Sequence, residues 1–175
     1  MTVSYLRLAT PEDLPAITGI IEEAKAYLKE QGIDQWQGAY PAANHLEQDI
    51  KDQLTYVLMV GDEIAGTAAL WLGIDPMYLH IEGGEWINGP EARYSAIHRV
   101  AVSSKFRGQR LSEKMISGLL TIARSLGYKD VRVDTHPENK GMQHVITSNG
   151  FDYKGIIHME DGDNSERYAY QIILK

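Results

Sequence analysis

The sequence predicts one mixed α/β domain spanning residues 1–175, and three observations predict it. Helical and strand periodicities alternate along the chain in the order β-α-α-β-β-β-α-β-α-β-β. An apolar strand pattern, Ala96–Val102, runs through a short basic turn into an amphipathic helical pattern that starts at Leu111. A length of 175 residues with 43% hydrophobic content, and no repeat, low-complexity stretch or polar linker, suits one compact core.

Val3–Leu8 suits a first strand. Thr10-Pro11-Glu12-Asp13 then supplies an N-cap, a proline at the first helical position and early carboxylates, and Leu14, Ile17, Ile20, Ile21, Ala24 and Leu28 follow on one helical face. A second helix is expected within Ala43–Asp52, where Leu46 and Ile50 share a face. Leu54–Val60 and Ile64–Leu72 flank the turn Gly61-Asp62-Glu63 and read as a hairpin. Between Gly73 and Tyr94 the pattern breaks up. Gly83-Gly84 and Asn88-Gly89-Pro90 mark turns there, and a short strand is expected at Tyr78–Ile81.

Ala96–Val102 is the next strand. Leu111, Met115, Leu119, Ile122, Ala123 and Leu126 form the apolar stripe of the helix after it, stopped by Gly127. Asp130–Asp134 is a short strand, and Asn139–Ser148 fits a helix ending before Asn149-Gly150. Phe151–His158 then pairs with Arg167–Leu174 across a turn at Asp161-Gly162-Asp163-Asn164.

The strand, turn and helix around residues 97–115 build an anion site. The turn offers backbone N–H groups, and the first helical turn adds the positive end of its dipole. Lys105, Arg107, Arg110 and Lys114 concentrate positive charge at the same mouth, in a chain whose formal net charge is −7. A phosphate-bearing ligand explains that arrangement.

The hexapeptide Arg107-Gly108-Gln109-Arg110-Leu111-Ser112 resembles the pyrophosphate loop of the GNAT family of acetyl-CoA-dependent N-acetyltransferases, which reads Arg/Gln-x-x-Gly-x-Gly/Ala after an apolar strand. Arg110 and Ser112 stand where that family has small residues. The order of elements is also the family's, and Asn149-Gly150-Phe151 matches its closing Gly-Phe, so the resemblance covers essentially the whole chain. It implies a mixed central sheet flanked by helices, acetyl-CoA as co-substrate and an amine acceptor. By the same resemblance, backbone groups of Val100 and Val102 would meet pantetheine and the acetyl carbonyl. Arg107, Gly108, Gln109, Arg110, Leu111 and Ser112 would hold the pyrophosphate, and Asn139 would lie near the pantetheine end.

Acetyl transfer from a thioester needs a neutral amine, and freeing one from a lysine-like ammonium at neutral pH costs roughly 4–5 kcal/mol. A base is therefore expected. Alternation puts His98 on the same strand face as Val100 and Val102, and some family members take the amine proton with a histidine on this strand. A half-buried strand histidine with an ordinary hydrogen-bond partner fits the position equally well. Glu82 and Glu85, in the irregular segment, are rival bases. Many family members protonate the leaving thiolate with a tyrosine four residues before the Gly-Phe glycine; here that position is Ile146, and His136, His144 and Tyr153 carry no assignment in its place. Water can protonate a coenzyme A thiolate, since an ordinary thiol has a pKa of about 8.5.

The connection between the first two helices faces the acceptor in this family. Trp36 and Tyr40 there either stack against an acceptor or close the core beneath the loop, and Trp71 and Trp86 carry the same two readings. The acceptor candidates are Trp36, Tyr40, Glu82 and Trp86. Two functions stay open: an acetyltransferase acting on a primary amine of a small molecule or peptide, and a catalytically silent acyl-CoA-binding module, which the departures at Arg110, Ser112 and Ile146 favour.

Several classes are disfavoured. No stretch has transmembrane length and the N-terminus lacks a secretory pattern, so a cytoplasmic protein without a membrane partner is expected. The acidic balance argues against nucleic acid. With no cysteine, no cysteine acetyl-enzyme can form. The histidines lack metal-ligand spacing, no phosphate loop of the Gly-x-x-x-x-Gly-Lys-Ser/Thr type exists, and Asp161–Asn164 lacks the glutamate that would complete a calcium loop. Ile172-Ile173-Leu174 could serve a homodimer or fill the core.

Overall fold

The computed structural model describes residues 2–160 and 165–175, so the turn read at Asp161–Asn164 lies outside the described residues. The elements are β1 (Ser4–Leu8), α1 (Leu14–Glu30), α2 (Ala43–Lys51), β2 (Thr55–Val60), β3 (Glu63–Leu72), β4 (Ser95–Val102), α3 (Leu111–Ser125), β5 (Asp130–Thr135), α4 (Lys140–Ser148), β6 (Asp152–His158) and β7 (Glu166–Ile173). Their order is the expected one. The seven strands form one mixed sheet, ordered β1-β2-β3-β4-β5-β7-β6. The β1/β2, β2/β3, β5/β7 and β6/β7 pairs are antiparallel, and β4/β5 is parallel.

The chain divides into two compact units. The first comprises Met1–Leu70 and Arg99–Leu119. Its core joins Ile17, Ile20 and Ile21 of α1, Leu46 and Ile50 of α2, Val57 and Met59 of β2, and Ala101 of β4. Each fully buried aliphatic side chain of this set stabilises the fold by about 1.5–3 kcal/mol. Before α1 the chain makes a 3₁₀ turn, Pro11–Asp13. The Asp13 carboxylate accepts from the Thr10 N–H at 2.8 Å and from Arg7 of β1 at 2.7 and 3.0 Å, which fixes the entry of the helix.

The second unit comprises Trp71–His98 and Leu120–Lys175. Its core is aromatic: Tyr78, Trp86 and Tyr94 pack with Ala96, Ile157 and Ala169. The strand expected at Tyr78–Ile81 is not formed. Asp75 caps a 3₁₀ turn at Pro76–Tyr78 instead, its Oδ1 accepting from the Met77 N–H at 2.9 Å, and Pro76 fixes the backbone at the turn's first position. Strand-like pairing begins later, as a single bridge between Glu82 and Ile156 of β6. Gly84 passes so close to β6 that an added Cβ would lie 1.9 Å from the Lys154 carbonyl oxygen.

Arg132 is the centre of this unit. Its side chain has no exposure. It donates to both Asp130 oxygens, at 3.1 and 2.9 Å, and to the Gly89 carbonyl at 2.8 Å. Its guanidinium also lies 3.9 Å from the Tyr94 ring centroid and 4.5 Å from that of Trp86. A desolvated cation so paired, and covered by two ring faces, ties the irregular segment to β5.

Candidate functional site

The parallel ladder between β4 and β5 is short. It pairs Ser95 with Val131, Ala96 with Arg132 and Ile97 with Val133, then stops, although β4 continues to Val102 and β5 to Thr135. Two residues later Arg99 has φ 56, a left-handed conformation inside a strand. Such a residue bulges and twists a strand. His98, Arg99 and Val100 are accordingly all half-buried in succession, and the strict alternation that would align His98 with Val100 and Val102 is interrupted. In the first unit, Arg99 is held by an ion pair with the buried Asp49 of α2, and its Nε donates to the Tyr40 hydroxyl at 3.1 Å.

His98, where the ladder ends, sits among acidic and aromatic groups of the second unit. Its Nε2 lies 2.8 Å from Asp75 Oδ2. Its Nδ1 lies 4.0 Å from Asp134 Oδ2. The Tyr78 hydroxyl donates to that same Asp134 oxygen at 2.7 Å. The rings of Trp71 and Tyr78 stand 5.4 and 5.8 Å from the imidazole, and the Trp71 indole N–H is buried with no hydrogen-bond partner among the described residues.

The two carboxylates have opposite electrostatics. Burial pushes the Asp75 carboxyl up, but His98 and the Met77 N–H more than offset this and hold it below the usual carboxylate range. For Asp134, burial wins over the pull of His98 and of the Tyr78 hydroxyl, and its carboxyl is held above that range. Burial, with Asp134 beside it, pushes the Tyr78 hydroxyl well above its ordinary value, so Tyr78 remains a donor.

The anion loop belongs to the first unit. After β4, the chain makes a 3₁₀ turn at Ser104–Phe106, passes through Gly108 at φ 81 and Arg110 at φ 56, and enters α3 at Leu111. An added Cβ on Gly108 would meet nothing within 4 Å, so the loop leaves open space beside its backbone. The first bond of the helix runs from Lys114 N–H to the Arg110 carbonyl at 3.3 Å, which places the Leu111 and Ser112 amides ahead of it at the helix mouth. These residues fit a pyrophosphate. Arg110 adopts the glycine-type conformation despite its Cβ, with its side chain at the surface on Glu113. The Arg107 guanidinium stacks 4.1 Å from the Tyr27 ring centroid, Lys105 pairs with Glu63, and the Glu23 carboxylate accepts from the Ser104 N–H at 2.8 Å.

The remaining candidates are dispersed. Asn139 caps α4, accepting from the Met142 N–H at 3.1 Å. Ile146 is fully buried. Trp36 is half-buried against the core of the first unit, and Tyr40 is exposed beside Arg99. Trp86 is 3% exposed, its indole N–H donating to the Tyr78 carbonyl at 2.8 Å, so it shapes the interior and presents no free ring face. Glu82 is exposed and pairs with His158 at 3.3 Å; Glu85 is exposed. Sequence reasoning missed Asp75, Asp134 and Tyr78. The Asp-Pro cap signal at Asp75 was the one local clue, and nothing in the sequence joins it to His98.

No helix among the described residues is long and apolar enough to cross a membrane. Residues 20–151 match the model of the acetyltransferase (GNAT) family. A GNAT-family acetyltransferase from Streptococcus agalactiae is 34% identical, with a TM-score of 0.89 over 98% of this chain and 96% of that one. The uncharacterized N-acetyltransferase YesJ of Bacillus subtilis is 22% identical over 153 residues, 86% of this chain and 83% of its own. The fold is shared with yncA from Salmonella typhimurium, whose structure contains its cofactor acetyl-CoA, at 19% identity and a TM-score of 0.69 over 98% of this chain and 94% of that one.

Proposed function

Since the chain belongs to the GNAT family of acetyltransferases, we propose that it moves the acetyl group of acetyl-CoA to a primary amine of a small molecule or peptide by direct nucleophilic attack. The amine nitrogen bonds to the thioester carbonyl carbon, the carbon–sulfur bond breaks, coenzyme A leaves as its thiolate, and the amine proton passes to His98. The observation that carries this reading is His98 itself, a half-buried imidazole at the end of the β4/β5 ladder with a carboxylate 2.8 Å away. A base so placed gains a proton beside an existing negative charge. With Ile146 at the position of the family's tyrosine, the thiolate takes its proton from water.

Arg107 to Ser112 would hold the pyrophosphate, with Val100, Val102 and Asn139 along the pantetheine. The family resemblance makes Trp36 and Tyr40 of the first unit acceptor candidates, and likewise Glu82 of the second, where Trp86 is an interior residue. The same reading makes this a cytoplasmic protein whose partners are acetyl-CoA and the amine, and ultracentrifugation decides whether it is a homodimer. The silent-binder alternative rests on Arg110, Ser112 and Ile146, the last of which leaves no tyrosine acid at that position.

Calorimetric titration with acetyl-CoA comes first. Arg107→Ala should weaken binding about tenfold or more. Thiol release is then followed with spermidine, ethanolamine and lysyl peptides as acceptors. His98→Ala should lower kcat by about 10²–10⁴ while leaving acetyl-CoA affinity nearly unchanged. Binding without amine-dependent thiol release would favour the silent module, and no binding would remove both readings.

A further inference from the structure

We propose that Asp75 is the positioning residue of this site, a fixed carboxylate that holds His98 in place and balances the charge His98 gains when it takes the proton of the acceptor amine. The inference rests on the reading of His98 as the base, and geometry separates Asp75 from its rival. Asp75 Oδ2 approaches Nε2 to 2.8 Å, whereas Asp134 Oδ2 stands 4.0 Å from Nδ1 and is already engaged by the Tyr78 hydroxyl.

Asp75 is also held more firmly than a side chain on an ordinary loop. Its Oδ1 accepts from the Met77 N–H at 2.9 Å as the cap of the 3₁₀ turn, and its own N–H donates to the Tyr94 hydroxyl at 2.6 Å. The following proline restricts its backbone to extended conformations, and it has φ −94 and ψ 122. One oxygen is therefore committed to the cap and the other is left for the imidazole. A carboxylate fixed on both sides needs no reorganisation when the imidazolium forms, which is the condition for a charge partner to act in a transition state.

The groups facing His98 are Asp75, Asp134, and the rings of Tyr78 and Trp71. Among them Asp75 alone combines contact distance with a carboxyl held in its ionised form; Asp134 is pushed the other way by burial.

Asp75→Asn separates charge from capping, because the amide oxygen still accepts from the Met77 N–H. With the amine giving the fastest thiol release, this variant should lose about 10–100-fold in kcat, keep its acetyl-CoA KM within about twofold, and melt close to the wild type. Asp134→Asn should lose less. A kcat within twofold of wild type, an equal or larger loss in Asp134→Asn, or a matching loss of acetyl-CoA binding would overturn the assignment. A second measurement needs neither turnover nor a folded Asp75 variant: the Asp75 carboxyl carbon is titrated by NMR in the wild type and in His98→Ala. Removing His98 should raise the Asp75 titration clearly, and an unchanged titration overturns the pair. If no amine supports thiol release yet the titration moves, the base reading has failed while the pairing of Asp75 with His98 stands.

Discussion

Arg110 adopts φ 56 at the mouth of α3, a conformation that a Cβ disfavours and glycine accepts freely. The loop keeps its glycine-type shape through its surroundings, with Phe106 and Leu111 buried on either side and the Arg110 side chain lying on Glu113 at the surface. Arg110→Gly should therefore raise the melting temperature by roughly 2–4 °C. Arg110→Ala, which loses the same charge but keeps the Cβ, should not; thermal unfolding of the two variants side by side decides, and an equal shift in both would place the effect in the charge. At this scale the sequence was only partly legible. The basic loop stood out by its local charge and His98 by strand alternation, although the structure interrupts that alternation at Arg99. Asp75 and Asp134 did not, because one reaches His98 from the cap of a 3₁₀ turn and the other from β5, and no local pattern encodes that meeting. The left-handed turn at Arg99 had no sequence signal either, since arginine is an ordinary strand residue until the ion pair with Asp49 holds it there.

Among the elements, the start of α1 gives the clearest linkage to pH. Asp13 accepts from Arg7 and from the Thr10 N–H, and chiefly the Arg7 hydrogen bond holds its carboxyl below the usual carboxylate range, against the effect of burial. A carboxyl whose folded value is depressed binds protons more tightly when unfolded. Its stabilisation is therefore complete above the unfolded value of about 3.9 and is lost as the pH falls through the lower, folded one. Asp13→Asn should cost about 1–2 kcal/mol at neutral pH, by urea unfolding, and the difference from wild type should shrink in acid through that window. A difference that persists unchanged to low pH would mean packing rather than charge holds the turn. The order of all eleven elements was legible because each carries its own helical or strand period. The segment from Gly73 to Tyr94 was not, because Tyr78, Trp86 and Tyr94 follow neither period. Arg132 and Gln171, far away in the chain, organise it: Gln171 accepts from the Ile87 N–H at 2.8 Å and donates to the Ile87 carbonyl at 3.0 Å.

For the molecule as a whole, β3, β4 and α3 each contribute residues to both compact units, so neither unit owns a complete set of elements. The one-domain expectation predicts a single calorimetric transition with equal calorimetric and van't Hoff enthalpies. Arg132→Met makes the test sharper. It removes the cation between Trp86 and Tyr94 and leaves Asp130, 4% exposed, with its charge buried beside Gln171. Breaking a buried pair in this way costs about 3–5 kcal/mol, a large share of the roughly 5–15 kcal/mol that holds a domain together. If the chain is one cooperative unit, the whole transition should move down by on the order of 10 °C and remain single. If the aromatic unit melts early while the unit of α1 and α2 keeps its original transition, the two fold independently, and the anion loop would stay structured in a protein whose His98 cluster has already come apart.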